Sequence, residues 1–93
     1  MRFAETTIII TGAAGGLGSA MAAAFAAEGG RVVLVDLPSS PGELVEERIN
    51  QAGLPGSARF VRCDLADLDR TAEVIAGVAA SDGGSVLVNN AAI

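Results

Sequence analysis

Apolar positions fall into short runs punctuated by glycine and by charged turns. Thr7-Ile8-Ile9-Ile10 is a continuous apolar, β-branched run, the pattern of a strand covered on both faces. Glycines follow at once. Behind them Leu17, Met21, Ala24, Phe25 and Glu28 keep helical spacing, the first four of them apolar. This helix is expected to end at Gly29-Gly30, because glycine accepts the left-handed C-terminal position. Val32-Val33-Leu34-Val35, within Arg31 to Asp36, predicts a second buried strand. Ser40-Pro41-Gly42-Glu43 reads as a capping box, with Ser40 as N-cap, Pro41 as first helical residue and Glu43 as reciprocal acceptor. A short polar helix then runs to about Ala52 and stops at Gly53, with Val45, Ile49 and Ala52 as its buried stripe. Ala58 to Arg62 predicts a third strand. Asp67 and Asp69 are placed in the first turn of a third helix, where carboxylates favour the dipole. Leu68, Thr71, Ala72, Ile75, Val78 and Ala79 carry its spacing, and Val86-Leu87-Val88 predicts a fourth strand.

The resulting order, β-α-β-α-β-α-β, implies an α/β fold with a parallel sheet and right-handed crossovers. The expected strand order is 3-2-1-4, a partial, doubly wound, Rossmann-like sheet. The first two helices lie on one face and the third on the other. Ligands of such sheets bind beyond the carboxyl ends of the strands, where the order reverses, here between strands one and four.

Gly12-Ala13-Ala14-Gly15-Gly16-Leu17-Gly18 joins strand one to helix one at that point. A dinucleotide's pyrophosphate needs bare backbone N–H groups at a helix N-terminus, and glycine lets the backbone come close. The spacing is T-G-x-x-x-G-x-G, not the G-x-G-x-x-G fingerprint. A tight turn that only packs helix on sheet is the plainer explanation of such a loop. Asp36 argues against it. It ends strand two, 24 residues after Gly12, close to the offset of roughly 20 expected of a ribose-binding acid. Its carboxylate can accept bonds from both adenosine-ribose hydroxyls and repels a 2′-phosphate. No Arg close in sequence would neutralise that phosphate, so NAD is expected over NADP. Asp64 follows strand three and Asn89-Asn90-Ala91-Ala92 closes strand four, on the same edge of the sheet.

Composition sharpens this reading mainly by what is missing. The 93 residues contain no His, Tyr, Trp or Lys. A His general base, a His/Cys zinc site, a Walker-type phosphate loop and a Tyr or Lys acid–base pair are therefore excluded, and no catalytic or metal-binding residue is assigned. The net charge of −5 disfavours nucleic acid and anionic membranes as partners. Cys63 is the single cysteine; it reads as a small apolar filler and allows no internal disulfide. The longest uninterrupted apolar run, Ala20 to Ala27, is too short to span a bilayer. With the first strand starting near Thr7 there is no room for a signal peptide, and the expected location is cytoplasmic.

With these motifs in order the chain resembles the N-terminal half of the short-chain dehydrogenase/reductase family. The matching pieces are Thr11 to Gly18, Asp36, Asp64-Leu65 and Asn89-Asn90-Ala91-Ala92. The resemblance implies that Gly12, Gly15, Gly16, Leu17 and Gly18 wrap the pyrophosphate and nearby ribose. It implies that Asp36 holds the adenosine ribose and that Asp64 and the Leu65 backbone reach the adenine. Asn90 and Ala91 would line the cofactor's other side, and Asn89 would help fix the sheet. Ala92 stands where the family usually has Gly. Leu37 to Glu43 is also similar to the same stretch of type-2 3-hydroxyacyl-CoA dehydrogenases, which act on hydroxysteroids as well. Residues 1–93 thus read as the NAD-binding half of one domain whose catalytic half is absent. By itself the chain is expected to lack dehydrogenase activity and to take a small-molecule substrate only with that half. A truncated, inactive nucleotide-binding or folding fragment is the alternative. A methyltransferase of similar fold fits the Thr11 spacing and the Asn89-Asn90 pair less well. An apolar strand-four edge, and a sheet face covered by one helix, would invite self-association.

Overall fold

The computed structural model describes residues 6–64, 66–79 and 84–89. Strands β1 (Thr6–Thr11), β2 (Arg31–Asp36) and β3 (Ser57–Arg62) alternate with helices α1 (Gly16–Ala27) and α2 (Gly42–Gln51). Helix α3 (Leu68–Ala79) and strand β4 (Gly84–Asn89) follow. Every strand pairing is parallel, and the order across the sheet is β3-β2-β1-β4. β1 and β2 are continuous apolar runs because the sheet is covered on both sides at its centre.

Alternation along the strands divides the core in two. Ile8, Ile10, Val32, Leu34, Ala58 and Phe60 face α1 and α2, meeting Ala22, Ala26, Val45 and Ile49. Ile9, Val33, Val35 and Cys63 face the other way, with Val61 of β3 and Ile75 of α3 packed against them. Cys63 is buried there, its Sγ 3.5 Å from Thr71 Oγ1.

Helix α1 buries a different face from the one the sequence suggests. Gly18, Ala22 and Ala26 are buried, Met21 and Phe25 half-buried, and Leu17, Ala24 and Glu28 exposed. The cause is contact distance. Three small residues at i, i+4 and i+8 let the helix lie close to the sheet, and a helix that is apolar nearly all round gives periodicity little to select on. Its end does follow the glycine rule. Gly29 (φ 90) and Gly30 donate to Ala26 O (3.1 Å) and Phe25 O (3.0 Å), the paired bonds of a Schellman motif.

The capping box does not form. Helix α2 starts at Gly42 with Pro41 as its N-cap and no side-chain cap. Ser40 Oγ instead donates to Leu37 O (2.7 Å), closing its own local turn, and Glu43 pairs with Arg62. Gly42 must be glycine for packing, since a Cβ there would overlap the Phe60 ring. Ala52 lies past the end of α2 and is exposed, so the buried stripe is Val45 and Ile49. On α3, Asp67 sits one residue earlier than expected, accepting from Arg70 N (3.1 Å) as a side-chain N-cap, and Asp69 alone occupies the first turn. Ala72, assigned to the apolar face of α3, is exposed.

Strand β3 would leave one row of backbone groups unpaired, because Ser57 donates to Gly30 O and alternate residues turn outward. Helix α2 covers that row. Asn50 donates from Nδ2 to Ala58 O and accepts from Ala58 N through Oδ1, both at 2.8 Å. Glu46 Oε2 accepts from Phe60 N (2.6 Å). Asn50→Ala removes two bonds from a buried residue and is expected to cost about 1–3 kcal/mol, read from the urea midpoint. A loss below about 0.5 kcal/mol would show that water replaces the clamp.

Candidate nucleotide-binding site

The C-terminal ends of the strands bring Thr11, Asp36, Arg62 and Asn89 to one edge of the sheet. β1 lies between β2 and β4, so the loop leaving it stands at the reversal of strand order. That loop is tied down on one side. Gly12 (φ 65) makes the turn and donates to Val35 O (2.8 Å), while Ala13 is fully buried in the α1–α2 core. Ala14 N donates to Asp36 Oδ2 (2.8 Å). Thr11 Oγ1 reaches Val88 O at 3.4 Å.

The other side of the loop is open. Helix α1 begins after Gly15 with no side-chain cap, and the first turn closes through Ser19 N to Gly15 O (2.9 Å). The N–H groups of the preceding helical residues point along the axis from the positive end of the dipole. A Cβ at Gly16 would meet no atom within 4 Å, and one at Gly15 only Gly12 O at 3.8 Å. Gly15 has φ −74, which any residue adopts. The protein's own packing therefore does not demand glycine at 15 and 16, whereas a phosphate lying on the backbone would. Leu17 is 68% exposed and Gly18 is buried against the sheet.

Asp36 is held before any ligand arrives. Its Oδ1 accepts from Leu37 N (2.7 Å) and its Oδ2 from Ala14 N. A carboxylate oxygen has two acceptor sites, so each oxygen keeps one free for a ribose hydroxyl. Cys63 N donates to Asp36 O (2.8 Å), locking the ends of β2 and β3 together. Asp64, exposed just beyond, accepts from Ala66 N (3.0 Å) in a local turn. Asn89 ends β4 opposite Thr11 in register. Leu65, Asn90, Ala91 and Ala92 lie outside the described residues.

The sequence reading missed Arg62. It stands opposite Asp36 in the parallel register, although 26 positions separate them in sequence. Its guanidinium lies over the Phe60 ring, 5.1 Å from the centroid, and pairs with Glu43. Aligning strand two with strand three at their C-terminal ends was the signal that could have found it. Among the described residues no group of three or more His, Cys, Asp or Glu is placed to hold a metal.

The sequence profile of the family described as short chain dehydrogenase matches residues 6–93. The chain belongs to the short-chain dehydrogenase family. Among short-chain dehydrogenases and related enzymes it is similar to galactitol 2-dehydrogenase of Agrobacterium fabrum, 37% identical over all of this chain and 35% of that protein. Its fold matches a metagenomic short-chain oxidoreductase crystallised in complex with NADP, at TM-score 0.88 and 36% identity, covering 100% of this chain and 42% of the other. It also matches a 3-oxoacyl-[acyl-carrier protein] reductase with bound NAD from Brucella melitensis, at TM-score 0.81 and 34% identity, covering 97% and 33%. The chain thus spans about a third of the length of galactitol 2-dehydrogenase. Short-chain dehydrogenase relatives hold NAD or NADP. The open glycines, the uncapped helix start and the pre-oriented Asp36 fit such a dinucleotide. No helix among the described residues is long and apolar enough to cross a membrane.

Proposed function

We propose that this chain is the NAD-binding platform of an oxidoreductase that interconverts a secondary alcohol and a ketone. One observation carries the reading: the Asp36 carboxylate is fixed against the glycine loop with acceptor sites to spare. Gly12, Gly15, Gly16, Leu17 and Gly18 hold the pyrophosphate and nearby ribose. Asp36 accepts the adenosine-ribose hydroxyls, Asp64 and Leu65 meet the adenine, and Asn90 and Ala91 line the far side. The bound cofactor supplies the hydride acceptor or donor. This chain orients it, and a His, Tyr or Lys to serve as acid–base group for the alcohol is not among its residues.

Names of similar proteins favour a hydroxylated substrate, galactitol and xylitol dehydrogenases among them. The Leu37 to Glu43 stretch favours a 3-hydroxyacyl-CoA or hydroxysteroid. Both are secondary alcohols, so the reaction class is the same.

Calorimetry of the chain with each nucleotide tests the proposal. NAD is expected to bind more tightly than NADP by at least tenfold, since the Asp36 charge opposes a 2′-phosphate. Turnover of a secondary alcohol is expected to be absent. Equal affinity for NADP would refute the assigned role of Asp36, and turnover would refute the division between platform and chemistry.

A further inference from the structure

The corner of the site next to Asp36 contains a cation that the NAD reading leaves without a task. Leu34 faces α1 and α2, so Asp36, two residues on, projects to the same side of the sheet. Phe60 faces that side too, and Arg62 follows it at the same interval. Adjacent strands lie about 4.8 Å apart. Asp36 and Arg62, opposite each other in register, therefore present neighbouring side chains of opposite charge at the same edge. Ala14 closes the β1 side of Asp36. Its other flank faces β3 and Arg62.

Two contacts, one of them supported from behind by a glycine, keep the guanidinium there. The Phe60 ring lies beneath it, the absence of a Cβ at Gly42 lets that ring sit against α2, and Glu43 in the first turn of α2 pairs with it. Both members of the ion pair are exposed, so the pair adds little to stability. Its consequence is local: Glu43 cancels the charge that would otherwise offset Asp36.

We propose that Arg62 is a latent counter-ion for a ribose 2′-phosphate, neutralised by Glu43, so that cofactor preference is set by Glu43 together with Asp36. This rests on the nucleotide site proposed above. Arg62 here is a specificity-determining group, and Glu43 is its positioning residue.

The test compares NADP-to-NAD affinity ratios in the full chain by calorimetry. Asp36→Asn removes the charge and keeps one acceptor oxygen for Ala14 N, at the expense of the bond from Leu37 N. Adding Glu43→Gln to it is expected to raise the ratio a further three- to fivefold, about the strength of an exposed charge pair. Arg62→Gln in that background should cancel the gain, and Arg62→Lys should keep part of it. The gain should also appear with 2′,5′-ADP and not with ADP. Helical circular dichroism and thermal midpoints of all variants confirm that folded chains are compared. An unchanged ratio on adding Glu43→Gln, or a gain that survives Arg62→Gln, overturns the inference while NAD binding stands. Failure of the wild-type chain to bind NAD removes the underlying site and the inference with it.

Discussion

Asp36→Ala is expected to weaken NAD binding by about 100-fold or more. A hydrogen bond to a charged group contributes about 1.5–3 kcal/mol, and two ribose hydroxyls are to be held. Even the lower figure gives about 3 kcal/mol, or roughly two decades in Kd. The structure adds a second loss. Oδ2 of the same carboxylate accepts from Ala14 N, so the alanine variant also releases one anchor of the glycine loop. Asp36→Asn removes the charge but keeps one acceptor oxygen for Ala14 N, giving up the bond from Leu37 N. Its loss should be nearer tenfold. Calorimetry reads both, and a fall of less than fivefold for Asp36→Ala would mean that the ribose is held elsewhere.

The largest effect on folding is expected at Gly56. A Cβ there would overlap Gly30 O and lie 2.7 Å from Ala26 O and 2.9 Å from Ala26 Cα. All three are backbone atoms, so no side chain can swing aside. Nor can the segments separate cheaply. Gly56 N donates to Ala26 O (2.8 Å) and Ser57 N to Gly30 O (3.1 Å), and these bonds set where β3 enters the sheet. Overpacking alone costs about 1–3 kcal/mol, and losing either bond adds to it. Gly56→Ala should therefore destabilise the chain by about 3 kcal/mol or more, seen as a lower urea midpoint at constant slope. A loss under about 1 kcal/mol would show that the crossing of α1 and β3 is looser than its geometry.

Local signals were read well where one physical demand dominated. The Ile8-Ile9-Ile10 and Val32-Val33-Leu34-Val35 runs call for a strand covered on both faces, as parallel sheets commonly supply, and they are buried on both. Gly29 was legible because helix α1 needed a positive φ to stop. Reading failed where two demands competed. Leu17 and Ala24 fit an apolar helix face, but sheet proximity selected Gly18, Ala22 and Ala26 instead. Ser40 has the chemistry of an N-cap, and its hydroxyl was taken by Leu37 O. The candidate site divides similarly. The glycine loop and Asp36 are sequence motifs. The bond between Ala14 and Asp36, and the place of Arg62 beside that acid, exist only once β1, β2 and β3 are in register.

The Asn50 and Glu46 clamp gives the sheet a direction. Ala58 N, Ala58 O and Phe60 N are backbone groups through which another strand would add to β3, and side chains of α2 already occupy them. Growth of the sheet is thus blocked at one end, as a capped filament is, and any added strand must enter past β4. The amides of Ala58 and Phe60 should accordingly exchange with deuterium as slowly as those of an interior strand.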